Sequence, residues 1–370
     1  MKFARGRQFV TRSIDSNHKA RVGVIGCGYI ANKVHLPILL GVLEAEVVAV
    51  CDVDYGAAKA TARRFGISNS YTDTAEMIRA VKLDLVDICT PADLHAQALL
   101  QALAAGVNCL VEKPLTTNVA DADQVLERAR NKGLGIYVVH NISTAMPSIM
   151  RAKDMVESGA LGEFLGVDLR YLVPVEPRHL NPDHWLHRLP GGILAEVMPH
   201  MLMTLLEFLD DVRQVKVVSS KRSAYPYIAV DEIRVVLEAR NGLGSLTIAH
   251  NCPSRRTAIE VIGTKMSLYV DADSQVVIAY PPHPGTEATF FRGWRALREI
   301  VQRTGALASS MLRVAGGHYV PLTHGHKHLV RQAVLSAVGK GAYPIDTHRA
   351  REVVRLSQEI FAQVAAPTHR

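Results

Sequence analysis

Hydrophobic positions follow two different patterns along the chain, and the change falls near residue 160. In the first part, short apolar runs alternate with longer amphipathic stretches. The run Arg21-Val-Gly-Val-Ile-Gly26 has the form of a parallel strand buried on both faces. Further strands are expected at Glu46–Cys51, Leu83–Cys89, Val107–Val111 and Gly135–Val139, with helices toward Leu43 and over about 55–65, 73–81, 93–105 and 118–132. Such alternation requires a doubly wound parallel sheet. From Glu163 onward the β-rich segments follow one another: 163–173, 212–221, 231–240, 243–251, 256–262, 266–270 and 275–280. Alternation in Glu232-Ile-Arg-Val-Val-Leu-Glu-Ala-Arg240, with the turn Asn241-Gly242, predicts a large, mainly antiparallel open sheet packed on one face. Helices are expected over about 144–158, 197–209, 325–339 and 347–364. The fold class is α/β: a doubly wound N-terminal domain over 20–142, then a C-terminal α+β domain over 143–370 whose last helices return toward the first.

Composition agrees with two domains. The chain has 370 residues, 48% of them hydrophobic and 21% charged, enough to bury a sizeable core. It has no run of 18 uninterrupted apolar residues and no apolar N-terminal signal region. Five scattered cysteines without a C-x-x-C pair argue against a disulfide framework or a zinc site, so a reduced, cytoplasmic protein is expected. The net charge of +7 comes mostly from residues 1–21, where six basic residues face Asp15 alone. A basic extension over 1–19 can touch nucleic acid or anionic lipid. The plainer expectation is a disordered leader or an early start codon, with neither nucleic acid nor membrane as a partner.

Gly26-x-Gly28-x-x-Ala31 stands where a strand turns into a helix, and Asp52 closes the next strand. The first glycine permits a tight turn and the second lets a pyrophosphate approach backbone N–H groups at the helix N-terminus. The small Ala31 allows close helix–strand packing. Gly26, Gly28, Tyr29, Ile30, Ala31 and Asp52 are therefore candidate dinucleotide contacts. Asp52 would accept from ribose hydroxyls and repel a 2′-phosphate, so NAD is favoured over NADP. Arg63 and Arg64 are read as solvated surface charges.

Two further landmarks, Thr90-Pro91-Ala-Asp-Leu-His95 and Val111-Glu112-Lys113-Pro114-Leu115-Thr116, accompany Gly191-Gly192-Ile-Leu-Ala-Glu196-Val-Met-Pro-His200. With the glycine motif, they make the chain resemble the glucose–fructose oxidoreductase/inositol dehydrogenase/rhizopine-catabolism (Gfo/Idh/MocA) family over roughly residues 20–365. The resemblance implies an N-terminal Rossmann domain and a C-terminal domain with an open sheet, through which homodimers or homotetramers pack. It also implies sugar, nucleotide-sugar or polyol substrates. On this reading Thr90, Pro91, His95, Glu112, Lys113 and Asn141 join the cofactor contacts. Lys113, at the carboxyl edge of the sheet, is a candidate proton donor–acceptor beside a nicotinamide cation, and Glu112 orients the lysine or the cofactor.

Glu196 and His200 share a helical face. In the resembled family an aspartate usually stands where this chain has Glu196. His200 is the candidate base for the alcohol proton, and Glu196 a substrate-orienting carboxylate. Pro199 suggests a helix that starts or bends close to His200. Upstream, His184, Trp185 and His187 belong to a loop rich in polar and aromatic groups suited to a sugar. His179, His184 and His187 also raise a metal, but they lack a carboxylate–histidine spacing, so none is assigned. In the segment 290–304, Phe291, Trp294, Leu297 and Val301 form one helical face. The expected use is packing on the chain itself or a subunit partner, the alternative a basic helix contacting membrane or a phosphorylated substrate. The histidines from His318 to His328 line an interdomain cleft or lie in solvent. The function expected is NAD-dependent hydride transfer from a secondary alcohol of a sugar, nucleotide sugar or polyol. Redox-neutral NAD-dependent glycoside cleavage and non-catalytic sugar sensing are the alternatives.

Overall fold

The apolar runs of the first part pair edge to edge as parallel strands. β1 (Ala20–Ile25), β2 (Ala45–Cys51), β3 (Asn69–Tyr71), β4 (Leu85–Ile88), β5 (Asn108–Glu112) and β6 (Ile136–Val139) form one sheet in the order β3-β2-β1-β4-β5-β6. Every pairing in it is parallel. β3 was not expected, because Asn69-Ser70-Tyr71 has no apolar run. It exists as an edge strand on β2. The computed structural model describes residues 18–140, 146–282, 289–315 and 322–364. The chain divides into two compact units, residues 1–140 with 323–354, and residues 141–322 with 355–370.

Helices α1 (Leu36–Leu40), α2 (Tyr55–Phe65), α3 (Thr74–Ala80), α4 (His95–Ala104) and α5 (Val119–Lys132) connect these strands. Polar side chains start three of them. Asp54, Asp73 and Asn118 each accept a backbone N–H from the first turn of α2, α3 and α5. α1 begins differently. It follows a wide π-type turn over Ala31–His35, in which the Leu36 N–H reaches back five residues to the Ala31 carbonyl. Pro37, with no N–H to offer an ordinary helical bond, stands next to this turn. The core between sheet and helices is built from Val86, Ile88, Leu99, Leu103, Val111 and Val125, among others.

The second unit carries a seven-stranded sheet. Its strands are β7 (Phe164–Leu172), β8 (Val212–Ser220), β9 (Glu232–Ala239), β10 (Gly242–Ala249), β11 (Arg256–Gly263), β12 (Ser267–Asp271) and β13 (Val276–Tyr280). Their order is β13-β12-β11-β7-β10-β9-β8, antiparallel throughout except for β7 with β10. Period-two burial is clear in β9, where Ile233, Val235 and Leu237 are buried while Arg234, Val236 and Glu238 are exposed. The remaining helices are α6 (Pro147–Glu157), α7 (Leu194–Leu205), α8 (Thr289–Ala315), α9 (Leu322–Ala337) and α10 (Thr347–Gln363).

One expectation needs correction. α7 does not start beside His200: it begins at Leu194, and the buried Pro199 lies inside it, with Glu196 in the first turn. Nine of its twelve residues are buried, and the helix runs unbroken through the proline. In α8, the Phe291 and Trp294 side chains lie outside the described residues. Leu297 and Val301, expected to pack, are 52% and 62% exposed. The attached face is polar: Gln302 accepts the Ala279 N–H, and Glu299 accepts from Tyr280 and Arg303. Among the described residues no helix is long and apolar enough to cross a membrane.

Leu99 is fully buried in the first unit's core. Leu99→Ala should destabilise that unit by about 2–5 kcal/mol, read as a lower urea midpoint, whereas Leu99→Met should cost less than about 1.5 kcal/mol.

Candidate active site

Parallel register brings the chemistry of the first unit to one line. Ile25 is level with Cys51 on β2 and Ile88 on β4; Ile88 is level with Val111, and Val111 with Val138. The residues that follow therefore emerge together at the carboxyl edge: Gly26, Asp52, Thr90, Lys113 and His140. The strand order reverses between β1 and β4, which is where open α/β sheets bind ligands.

Gly26 sits at φ +89°, and a Cβ there would lie 2.8 Å from the Cys89 backbone, so only glycine fits. Around Gly28 a Cβ would meet nothing within 4 Å. This open backbone beside the helix start is the cradle a pyrophosphate needs. Tyr29 is exposed, Ile30 half-buried and Ala31 fully buried under the sheet edge. Asn32, not singled out in the sequence, pins the loop by donating to the Cys27 carbonyl at 2.7 Å and to the Thr61 hydroxyl at 3.1 Å. Asp52 accepts the Cys27 N–H at 2.7 Å and the Asp54 N–H at 2.9 Å. A carboxylate has about four lone-pair sites, so acceptor capacity for ribose hydroxyls is left. The Thr90 hydroxyl is buried with no partner among the described residues. Glycine cradle, acidic strand end and orphaned hydroxyl fit a bound dinucleotide.

The turn after β5 rests on a buried chain of charges. Glu112 is 7% exposed. Its Oε1 accepts from His35 Nε2 at 2.9 Å and from His326 Nε2, on α9, at 3.1 Å. Its Oε2 accepts the Lys113 backbone N–H at 3.1 Å. His35 Nδ1 in turn lies 2.9 Å from Asp87 at the end of β4. Burial, the largest single effect, opposes charge on His35, yet the charge and hydrogen bond of Asp87 together with those of Cys89 outweigh it and hold the imidazolium well above the usual histidine range. Burial likewise opposes ionisation of Glu112, and the hydrogen bonds and charges of His326 and His35 reverse that, holding it well below the usual range. Glu112 therefore turns inward, where a direct cofactor contact was one expectation. Its neighbour Lys113 follows it at the edge, ahead of a cis bond to Pro114. The nearby His140 is pushed down to about 4 by burial and then by the Lys113 charge.

His95 lies between two turns of this edge. It is buried, its Nδ1 is 2.7 Å from the Pro114 carbonyl and its Nε2 is 3.0 Å from the Thr90 carbonyl. Burial pushes it toward the neutral form. A neutral imidazole carries one N–H, so it donates to one of these two carbonyls while lying beside both the Thr90-Pro91 turn and the Lys113-Pro114 turn. Asn141 lies outside the described residues.

In the second unit, Glu196 gathers a polar group. It accepts from His179 Nε2 at 2.8 Å and pairs with Arg178 at 2.7 Å. Half-buried His200 follows one turn later on α7. His184 stacks on Trp185 with ring centroids 5.6 Å apart, and His187 meets Tyr227 edge-on at 5.0 Å. His250, at the end of β10, stands 6.0 Å from His179 and 6.4 Å from Tyr171. Burial, then the neighbouring His179 charge, pushes His250 down to about 4. Both ring nitrogens of His250, with Nδ1 of His179 and of His187, are buried without a partner among the described residues. Arg178, Tyr171 and His250 were missed in the sequence, His250 because only β7–β10 pairing brings it there.

The 179–187 loop does not gather a metal-type ligand set among the described residues. Two such sets occur elsewhere, His35 with Asp87 and Cys89, and His35 with Glu112 and His326. The second is already joined by the hydrogen bonds above.

The charge chain sets a pH window for stability. His35, raised on folding, contributes fully below about pH 6.5, and that contribution is lost as pH rises through its folded value. Glu112, lowered on folding, contributes fully above about pH 4.5 and loses it as pH falls. His35→Asn should therefore lower the melting temperature most near pH 5.5, with the gap to wild type narrowing as pH rises above about 6.5 toward the folded value. A gap that stays constant across the range would contradict a charged His35.

Residues 20–140 match the oxidoreductase family with an NAD-binding Rossmann fold, and residues 149–269 match the GFO/IDH/MocA C-terminal domain. The chain is 26% identical to a D-apiose dehydrogenase from Paraburkholderia graminis, over 73% of this chain and 72% of that one. It is 31% identical to a D-glucoside 3-dehydrogenase from Escherichia coli, where the alignment spans 52% of this chain and 54% of the relative, about half of each. In fold it is similar to the WlbA dehydrogenase from Bordetella pertussis, solved with NADH and UDP-GlcNAcA, with a TM-score of 0.76 at 18% identity over 95% of this chain and 96% of that one. The two family matches fall on the two sheets, together cover more than half the sequence, and place the chain in the GFO/IDH/MocA oxidoreductases, with an NAD-binding Rossmann fold as its first unit.

Proposed function

We propose that the chain oxidises, or in reverse forms, a secondary alcohol of a sugar, nucleotide sugar or polyol. The observation that carries this reading is the single line of Gly26, Asp52, Thr90 and Lys113 along the carboxyl edge of the first sheet. Bound NAD supplies the hydride acceptor. Gly26, Gly28, Tyr29, Ile30, Ala31, Asp52, Thr90 and Pro91 hold it, Asp52 favouring NAD over NADP. Lys113, held through its backbone by Glu112, presents an ammonium or amine to the reacting hydroxyl. His200 takes the alcohol proton as the carbon hydrogen leaves as hydride.

The second unit supplies substrate recognition in this reading. His184, Trp185 and His187 offer a polar and aromatic wall, and Glu196 orients a hydroxyl. The partnerless imidazole nitrogens of His179, His187 and His250 support a polyhydroxylated ligand, since buried polar groups are ordinarily hydrogen-bonded. The names of the relatives, an apiose and a glucoside dehydrogenase, agree with that class. The open face of the second sheet, with Leu165, Val218, Val236 and Leu243 exposed, supports packing into a homodimer or homotetramer. The buried thiols support a cytoplasmic setting.

The test is absorbance at the NADH band with near-stoichiometric enzyme, NAD and a panel of sugars, inositols and nucleotide sugars. A rise with one member is expected. Sugar release without a rise would replace this reading with redox-neutral cleavage, and binding without either would replace it with sensing. Lys113→Ala should lower kcat on the identified substrate by roughly 10²–10⁴-fold. Asp52→Ala should raise kcat/KM with NADP relative to NAD, measured with the same substrate; an unchanged ratio would remove Asp52 from ribose recognition.

A further inference from the structure

We propose that His326 is a positioning residue for Lys113: together with His35 it clamps the Glu112 carboxylate that grips the lysine backbone. The inference rests on the assignment of Lys113 to the reaction. His326 reaches Glu112 from 214 positions further along the chain, on a different element from every other member of the network. Three N–H groups then meet one buried carboxylate: His35 and His326 on Oε1, Lys113 on Oε2. A carboxylate with both oxygens engaged cannot rotate about its last bond without breaking one of them. The Lys113 amide is held to it, and the direction in which the lysine side chain leaves the sheet edge follows.

Stability alone is a weak reason for such an arrangement. α9 is already anchored by Leu329, Val330, Ala333 and Val334, all fully buried. Buried charged contacts of this kind often contribute little net stability compared with apolar residues of similar volume. Their contribution is geometric: catalytic groups held to within a fraction of an ångström by a packed supporting shell. The other ionisable groups facing the carboxylate and its partners are Asp87 and Cys89 at the end of β4, Tyr343 before α10, and His140 after β6. None of them offers Glu112 the hydrogen bond that His326 makes.

The test compares full-length wild type with His326→Ala and His326→Gln, the amide N–H of glutamine being able to donate to Glu112. With the substrate found in the panel, His326→Ala should lower kcat by roughly ten- to a hundredfold while KM for substrate and for NAD stays within about twofold. His326→Gln should recover most of the loss. A second readout needs no substrate: the rate at which acetic anhydride acylates Lys113, followed by peptide mass spectrometry. It should change in His326→Ala and return toward wild type in His326→Gln. Wild-type kcat in His326→Ala, or equal losses in both variants that track the folded fraction, would overturn the proposal. Should wild type oxidise no panel member, the dehydrogenase reading fails. The acylation rates still decide the positioning role, identical rates in all three proteins refuting it.

Discussion

One imidazolium holds the first unit's chemistry together. His35 lies between Asp87 at the end of β4 and Glu112 at the end of β5, fully out of water. A buried charge survives only when its partners are close and its hydrogen bonds are complete, and removing one partner typically costs about 3–5 kcal/mol. The histidine is where it is because the chain before Pro37 winds as a wide turn. A local backbone irregularity and a long-range charge network thus determine each other. The lysine turn begins one residue after Glu112 and the Thr90 turn three after Asp87, so the spacing of those two turns inherits the network's rigidity.

The second unit solves a different problem. Its acid, Glu196, is one methylene longer than an aspartate, and the extra reach is taken up by Arg178 and His179. The carboxylate is therefore neutralised from the loop side before any ligand arrives. What stays chemically unsatisfied among the described residues is His250 on both nitrogens, with Nδ1 of His179 and of His187, and His250 is pushed downward by burial first and by His179 second. Neutral imidazole can donate from one nitrogen and accept at the other, which suits hydroxyl groups better than anions.

Much of this was legible in the residue order. Period-two and buried apolar runs located nearly every strand, because burial on one face or two imposes those patterns directly. The glycine motif located the tight turn at the sheet edge, since φ +89° against the Cys89 backbone excludes any side chain. β3 escaped because pairing to β2, not its own hydrophobicity, makes it a strand. In α8, periodicity reveals a stripe without saying what covers it, and Leu297 and Val301 stand exposed on it. His35 and His326 escaped as partners of Glu112 because no spacing rule connects residues on four separate elements. In the second unit, His250 joined the cluster only through strand pairing that composition does not encode.

The cysteines turn the same architecture toward a practical end. Cys27, Cys51, Cys89 and Cys109 are all buried in the first unit, and burial pushes Cys27 up to about 11 and Cys89 up to about 12. Thiolate, the form that alkylating agents and oxidants attack, is therefore scarce at neutral pH around the cofactor edge. Cys252, in the second unit, is the half-buried exception. A fluorophore or spin label offered under mild conditions thus has one accessible address, in the second unit, and the buried thiols of the first unit stay unlabelled.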